Sequence, residues 1–482
     1  MALPSVIIIG SGFGGIGAAI RLKQQGVSAL TIFEKASDIG GVWRDNVYPG
    51  AACDVPSHLY SFSFEPKPDW SRRYAEQPEI HAYLKHCANK YGLAPHLKLN
   101  TEVTAAAFDE ARALWRVTLA TGEVHEAQVL VTATGQLNRP LMPQVKGLSS
   151  FKGPQFHSAR WDHSISLAGQ RVAVIGTGAS AIQFVPRIAP KAGAVTLFQR
   201  SAPYVIPKGD HLYGETARRL FAKLPLVQAL SRAKEYVVHE TRALGVVSYP
   251  VLTGLMKPGF RRLLTESVKD ETLLAKLTPD YPVGCKRIMI SNDYYAALAR
   301  PNVSVVTDAI REVTQQGVVT ADGELHEADV LIYGTGFAAL DFLAPMHITG
   351  LQGRELNASW RDGAEAYLGV SVSGFPNLFM LYGPNTNLGH SSIVYMLESQ
   401  ITYLCDAIRH LAQGKKWLDV KPEVQGAFNA RIQQRSKKTV WDSGCTSWYK
   451  TASGKNTNNW PGYTFEYRRA TRRLRPEDYQ IA

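Results

Sequence analysis

An α/β protein with two dinucleotide-binding units is predicted, and three observations predict it. A glycine-rich turn, GSGFGG at Gly10–Gly15, follows a short β-branched run and opens an apolar-periodic helix. A second turn, GTGASA at Gly176–Ala181, repeats the arrangement far downstream. From Gly209 to Tyr281 the pattern becomes helix-rich, with Leu and Lys at helical spacing, and reads as a small insertion interrupting the second unit. The class is therefore two Rossmann-like domains with a helical insertion.

The 482 residues exceed a single core, so two or three domains are expected. With 45% hydrophobic and 20% charged residues the composition is that of an ordinary globular protein. A net charge of +12 invites a nucleic-acid partner. The densest basic run, Arg468, Arg469, Arg472, Arg473 and Arg475, has no recognition motif beside it and reads as a solvated face, so no nucleic acid is expected. The cysteines Cys53, Cys87, Cys285, Cys405 and Cys445 contain no C-x-x-C pair, which excludes a zinc knuckle and a redox dithiol at that spacing. An odd, dispersed set suits a reducing cytosol. The first strand begins by Val6, leaving no room for a secretory leader, and the apolar runs are too short to span a membrane. A cytoplasmic protein, monomeric or weakly oligomeric, is expected.

Val6–Ile9 reads as a buried strand. In the turn after it, Gly10 allows the tight bend, Gly12 lets the backbone approach a pyrophosphate, and Gly15 lets the helix pack on the strand. The next strand, residues 29–33, ends at Glu34. A carboxylate there accepts from a ribose hydroxyl and disfavours a 2′-phosphate. Residues 39–60, IGGVWRDNVYPGAACDVPSHLY, mix Gly, Pro and aromatics and read as a loop. Asp54 within it is, from composition alone, a turn cap. A helix over residues 78–91 follows, then β-rich runs at 103–108, 114–119 and 124–132, the last ending in Ala133-Thr134-Gly135. Residues 135–143 carry enough Pro and Gly to mark a domain crossing.

In the second unit the strand VAVIG leads into Gly176, Gly178 and Ala181. The strand after it ends in Gln199, Arg200 and Ser201, where the first unit has its acid. Arg200 can make charge-assisted bidentate bonds to a 2′-phosphate, which predicts NADPH over NADH. Strands are expected at 303–306 and 318–320. ADVLIYGTGF, residues 328–337, echoes the earlier Ala-Thr-Gly stretch and marks the return to the first domain. A long helix, residues 393–410, closes the pattern, with a tail containing CTSWY and NNWPG.

These residues resemble a family. FKGPQFHSARWD, through Phe151, Gly153, His157, Trp161 and Asp162, is similar to the fingerprint of type I Baeyer–Villiger monooxygenases, and GGVWRDNVYPGAACD, residues 40–54, resembles that family's second motif. The resemblance covers essentially the whole chain. It implies a non-covalently bound FAD reduced by NADPH, capture of O₂ as a C4a-peroxyflavin, and attack on a ketone to give an ester or lactone. The FAD-binding domain would then comprise residues 1–145 and 338–482, and the NADPH-binding domain residues 151–208 and 282–337, with 209–281 as the insertion.

The resemblance also implies roles. Arg287 would be the fixed cation beside the peroxide, because arginine does not give up its proton. Asp54 would pair with and orient it. Lys286 and Ser201 would join Arg200 at the 2′-phosphate, and Trp448 would fold over the nicotinamide end. His157 and Trp161 would hold the linker on which the NADPH domain moves. Further cofactor contacts are expected at Phe13, Gly14, Lys35, Val42, Trp43, Tyr60 and Val103, and at Thr177, Ala179, Ser180 and Gln183. They are also expected at Ile393, whose helix start would favour an anionic reduced flavin.

Three other readings stay open on the sequence. A flavin monooxygenase that oxidises nitrogen or sulfur would not need Arg287 for its key step. A flavin disulfide reductase would need the missing dithiol. A nucleotide-binding module without catalysis would show no NADPH oxidation.

Overall fold

A computed structural model describes residues 3–482. Two five-stranded parallel sheets organise it. In the first, Val6–Ile9 lies at the centre, between Leu30–Phe33 and Val129–Thr132, with Leu97–Lys98 and Leu378–Met380 at the edges. In the second, Arg171–Ile175 is central, between Ala194–Phe198 and Val330–Tyr333, with Val303–Val306 and Gln155–His157 outside. Val6–Ile9, Val129–Thr132 and Val330–Tyr333 are buried along their whole length, as strands covered on both faces must be. Each fully buried aliphatic side chain contributes about 1.5–3 kcal/mol. Both glycine-rich turns leave the C-terminal end of a central strand, which is where parallel α/β sheets take ligands.

The predicted two-unit α/β architecture is thus present, with local corrections. The run expected as one strand over 124–132 is two. Val124–Ala127 pairs antiparallel with Leu114–Leu119, while Val129–Thr132 joins the first parallel sheet. Between them Gln128 exchanges hydrogen bonds with Ser5 (3.1 and 3.0 Å), which turns the chain from one sheet to the other. The β-rich pattern is continuous, so nothing local marks that break. Within the loop expected at 39–60, Val42–Asp45 forms one helical turn. The cysteines read as suiting a reducing cytosol include one disulfide. Cys285 and Cys445, 160 residues apart, are joined with their Cα atoms 6.2 Å apart, while Cys53, Cys87 and Cys405 are free and buried. Spacing rules detect near neighbours, and this pair is made only by tertiary folding.

The insertion divides its allegiance. The helix Pro225–Ala243 is stitched to segments flanking the first sheet. Glu235 takes both Nε and Nη2 of Arg73 (3.0 and 2.8 Å), and Arg232 donates to the carbonyls of His58 and Ser61 (2.7 and 2.9 Å). Glu240 accepts from the backbone and hydroxyl of Thr464, both at 2.6 Å. The later helices turn the other way: Phe260, Leu264, Val268 and Leu277 pack into the core of the second sheet with Val195, Val205 and Tyr204. No helix among the described residues is long and apolar enough to cross a membrane.

Candidate active site

A cavity of about 1570 Å³ runs between the two sheets and is lined by both glycine-rich turns. The turns are built alike. A Cβ on Gly10 (φ +102°) would come 2.6 Å from the Ala133 carbonyl oxygen, and one on Gly176 (φ +107°) 2.5 Å from that of Gly334. The Ala-Thr-Gly stretch and its echo at 334–337 are therefore the matching backbones against which the two turns close. Gly12 and Gly178 line the cavity and have no neighbour that a Cβ would strike, so each leaves a backbone cradle of the kind a pyrophosphate needs. The residues fit two dinucleotides.

Around the first turn, Gly14, Lys35, Val42 and Val103 line the cavity, while Gly15 is buried behind at the helix start. Phe13 lies edge-on to Tyr60 (centroids 5.1 Å), and the Tyr60 hydroxyl accepts from Trp43 Nε1 at 3.2 Å, giving an aromatic wall. Glu34 lines the cavity, yet both of its oxygens are engaged. They accept from Ser11 N and Oγ (3.1 and 2.6 Å), Ala36 N (3.1 Å) and Arg44 (2.9 Å). A ribose hydroxyl would join an occupied carboxylate.

Around the second turn, Thr177, Ala179 and Ser180 line the cavity with Arg200 and Ser201. Lys286 Nζ donates to Ser201 Oγ at 3.0 Å and lies 4.4 Å from the centre of the Tyr281 ring. Burial, and then the Arg200 charge, push its ammonium below the usual lysine range. Three polar side chains, two of them cations, so converge at the end of the strand Ala194–Phe198. Gln183 lines the same cavity. Its amide is spent across the interface, accepting from Tyr48 Oη (3.0 Å) and Ala52 N (3.2 Å) and donating to the Ala52 carbonyl (3.0 Å).

Arg287 and Asp54, 233 residues apart, meet on the cavity wall with Nη2 to Oδ2 at 2.5 Å. Side-chain exposures of 27% and 33% open into the cavity. The Asp54 charge raises the guanidinium above its ordinary range. Burial alone would push the Asp54 carboxyl up, but Arg287 outweighs it and holds the group below the usual carboxylate range. The result is a permanent cation on a fixed counter-ion. Tyr449 stands nearby, fully buried, its phenol pushed up to about 12 by burial. The long helix Ile393–Leu411 begins at this cavity, where Ser391 and Ile393 line the wall and no side chain caps its first amides. Trp448 also lines the cavity and is 37% exposed.

The fingerprint residues do not reach the cavity. They build the outer edge of the second sheet. A Cβ on Gly153 would sit 2.2 Å from the Asp329 carbonyl, and Phe151 is buried beside it. His157 accepts from Ala159 N through Nδ1 (3.1 Å) and lies against Phe337, 5.7 Å between centroids. Trp161 fills the space between Phe156 and Phe184 (5.2 and 5.3 Å). Asp162 caps the next turn through Ser164. What the sequence missed is the wall supplied by residues 135–143, including Gln136, Asn138 and Met142. Its Pro and Gly content marked a crossing, and only the matching Ala-Thr-Gly and Gly-Thr-Gly stretches hinted that a site lay between.

Comparison with known proteins gives four findings. Residues 7–213 match the family model described as pyridine nucleotide-disulphide oxidoreductase. A protein of Streptomyces coelicolor named Baeyer–Villiger monooxygenase is 47% identical over 479 residues, covering 99% of this chain and 92% of that one. Among solved structures, an oxidised steroid monooxygenase bound to NADP superposes with a TM-score of 0.89 at 32% identity, over 99% of both chains. A closed cyclohexanone monooxygenase gives 0.88 at 30% identity, over 100% of this chain and 99% of that one.

Proposed function

Because the chain belongs to the Baeyer–Villiger monooxygenase family, we propose that Arg287 and Asp54 form its charge-stabilising centre, and that Arg200, Ser201 and Lys286 select NADPH. The enzyme is an FAD- and NADPH-dependent monooxygenase. It consumes a ketone, O₂, NADPH and a proton, and releases an ester or lactone, NADP⁺ and water. FAD, when bound, supplies the electron transfer and oxygen activation that no side chain provides.

The chain's own groups do the rest. The first turn and Glu34 hold the adenosine end of FAD, and the second turn holds the pyrophosphate of the nicotinamide cofactor. Arg200 and Lys286 take the 2′-phosphate, with the Ser201 hydroxyl between them. Arg287 presents positive charge to the negative oxygen that develops beside the ketone, and it cannot quench that oxygen by giving it a proton. Asp54 fixes the direction of the guanidinium. Trp448 and the tail shield the nicotinamide end from water.

The observation that carries this reading is the Arg287–Asp54 pair on the wall of the cavity that both turns share. The test is Arg287→Ala, assayed with a simple cyclic ketone. Lactone formation should fall about 10²- to 10³-fold, the scale of losing a preorganised electrostatic group, while FAD content and NADP⁺ binding persist. Lactone formation near the wild-type rate with the cofactors bound would sink the assignment.

A further inference from the structure

Covalent linkage joins two parts of the site that are remote in sequence. Cys285 immediately precedes Lys286 and Arg287, and Cys445 lies three residues before Trp448. Cys285 is fully buried and Cys445 half-buried. Among the described residues, the main chain of Gly444–Thr446 makes no hydrogen bond to other backbone. Its flanks are held: Ser443 Oγ donates to the Val440 carbonyl at 2.6 Å, and Trp448 O accepts from Asn458 Nδ2 at 3.2 Å. Gly444 (φ +92°) has open space where a side chain would be, so nothing packs against the segment there. Thr446, Ser447 and Trp448 nevertheless line the cavity. The covalent tie between this stretch of wall and the Lys286–Arg287 segment is the disulfide, which adds to the packing of Val440 against Gly284 upstream.

We propose that the Cys285–Cys445 cystine is a positioning element for the nicotinamide cofactor: it holds Thr446–Trp448 against the segment that carries Lys286 and so governs how tightly NADP is retained. The proposal rests on the assignment of Lys286 and Trp448 to the cofactor made above. Without the bond, the segment would have to be ordered at each binding event, and that ordering is subtracted from affinity. The half-buried Cys445 sulfur is the accessible end. The thiolate of a dithiol attacks it, the S–S bond breaks, and Cys285 leaves as a thiolate that takes up a proton. The second thiol of the reagent then closes on the first, freeing Cys445 as a thiol. The cystine gains two electrons and two protons, and the dithiol becomes a cyclic disulfide.

The experiment uses the FAD-loaded enzyme purified without reductant and treated with oxidised glutathione. Denaturing alkylation before reduction should label three thiols of the five, with Cys285 and Cys445 protected. Calorimetric titration with NADP⁺ is then compared for the oxidised enzyme, the same enzyme reduced with dithiothreitol, and Cys445→Ser. The expected result is NADP⁺ affinity about tenfold weaker in the reduced enzyme and in Cys445→Ser, with the KM for NADPH rising in step and kcat at saturating NADPH changing less than twofold. Reduction of the folded wild type keeps the test valid if Cys445→Ser folds poorly. Five labelled thiols in the glutathione-treated protein, or equal NADP⁺ affinity in the oxidised and reduced forms, overturns the tether alone. Failure of the oxidised wild type to bind NADP⁺ at all overturns the cofactor assignment on which it stands.

Discussion

Replacing Asp54 with asparagine removes one charge from the central pair and nearly preserves its shape. With Nη2 and Oδ2 2.5 Å apart, the charge centres lie about 4 Å from each other, where an effective dielectric near 20 gives a gross attraction of about 4 kcal/mol. Exposures of 27% and 33% into the cavity screen part of it, and an asparagine still accepts one hydrogen bond. What is lost is about 2–3 kcal/mol of orientation, or about 30- to 150-fold in a rate that depends on where the guanidinium points. The assay follows NADPH oxidation by absorbance and lactone by gas chromatography, with NADP⁺ affinity measured in parallel. The rate of lactone formation should fall by that factor, with a larger share of the NADPH spent on hydrogen peroxide, while NADP⁺ affinity stays within twofold. The pH dependence has a definite sign. The Asp54 carboxyl is held below its ordinary value, so the stabilisation from the pair is full above the ordinary carboxylate pKa of about 3.9 and is lost only as pH falls through the depressed one. The ratio of wild type to variant should therefore be flat between about pH 6 and pH 9. A variant that forms lactone within twofold of the wild-type rate would refute the reasoning.

Three further outcomes are expected. Arg200→Ala should raise the KM for NADPH about 10- to 100-fold and leave that for NADH unchanged, since a charge-assisted phosphate bond is worth about 1.5–3 kcal/mol; steady-state kinetics with both cofactors decide it. Asp419, which does not line the cavity and is 4% exposed, accepts from Gly374 N, yet burial still pushes its carboxyl up to about 6. Between about pH 4 and 6 the folded state then holds more protons than the unfolded one, so this group costs stability as pH rises, about 3 kcal/mol by pH 7; Asp419→Asn should raise Tm at neutral pH and not near pH 4. Trp161→Ala should destabilise by about 3–5 kcal/mol in denaturant titration, because the ring fills the space between Phe156 and Phe184 and does not line the shared cavity.

The glycine-rich turns were legible because such a turn is a local object: strand, Gly10 or Gly176, and helix start lie within a few residues, and the backbone conformation dictates glycine. The basic end of the second unit was legible for the same reason, since Arg200 and Ser201 directly follow the strand that aims them. Asp54 was not. By composition it was a turn residue, and its pairing with a residue 233 positions away entered only through resemblance. The division of residues 124–132 between two sheets, the Cys285–Cys445 bond and the engagement of Gln183 with Ala52 all depend on partners that pattern reading cannot bring together. Glu34 lines the cavity, and its neighbours Ser11 and Arg44 became visible only once the chain was folded.

The helix Pro225–Ala243 interrupts one nucleotide unit in the sequence but is bonded to the other through Arg73, His58, Ser61 and Thr464. Anyone recombining this chain with a relative would be misled by the sequence boundary. A crossover that exchanges residues 151–337 as a block pairs one parent's Arg232, Glu235 and Glu240 with the other parent's partners and leaves buried charges unmatched wherever the two parents differ there. Seams placed on either side of residues 225–243 keep those pairs in one lineage, so the exchangeable unit in this enzyme is a nucleotide sheet with its own helices Lys257–Ser267 and Glu271–Leu277, and not the contiguous stretch of chain that encodes it.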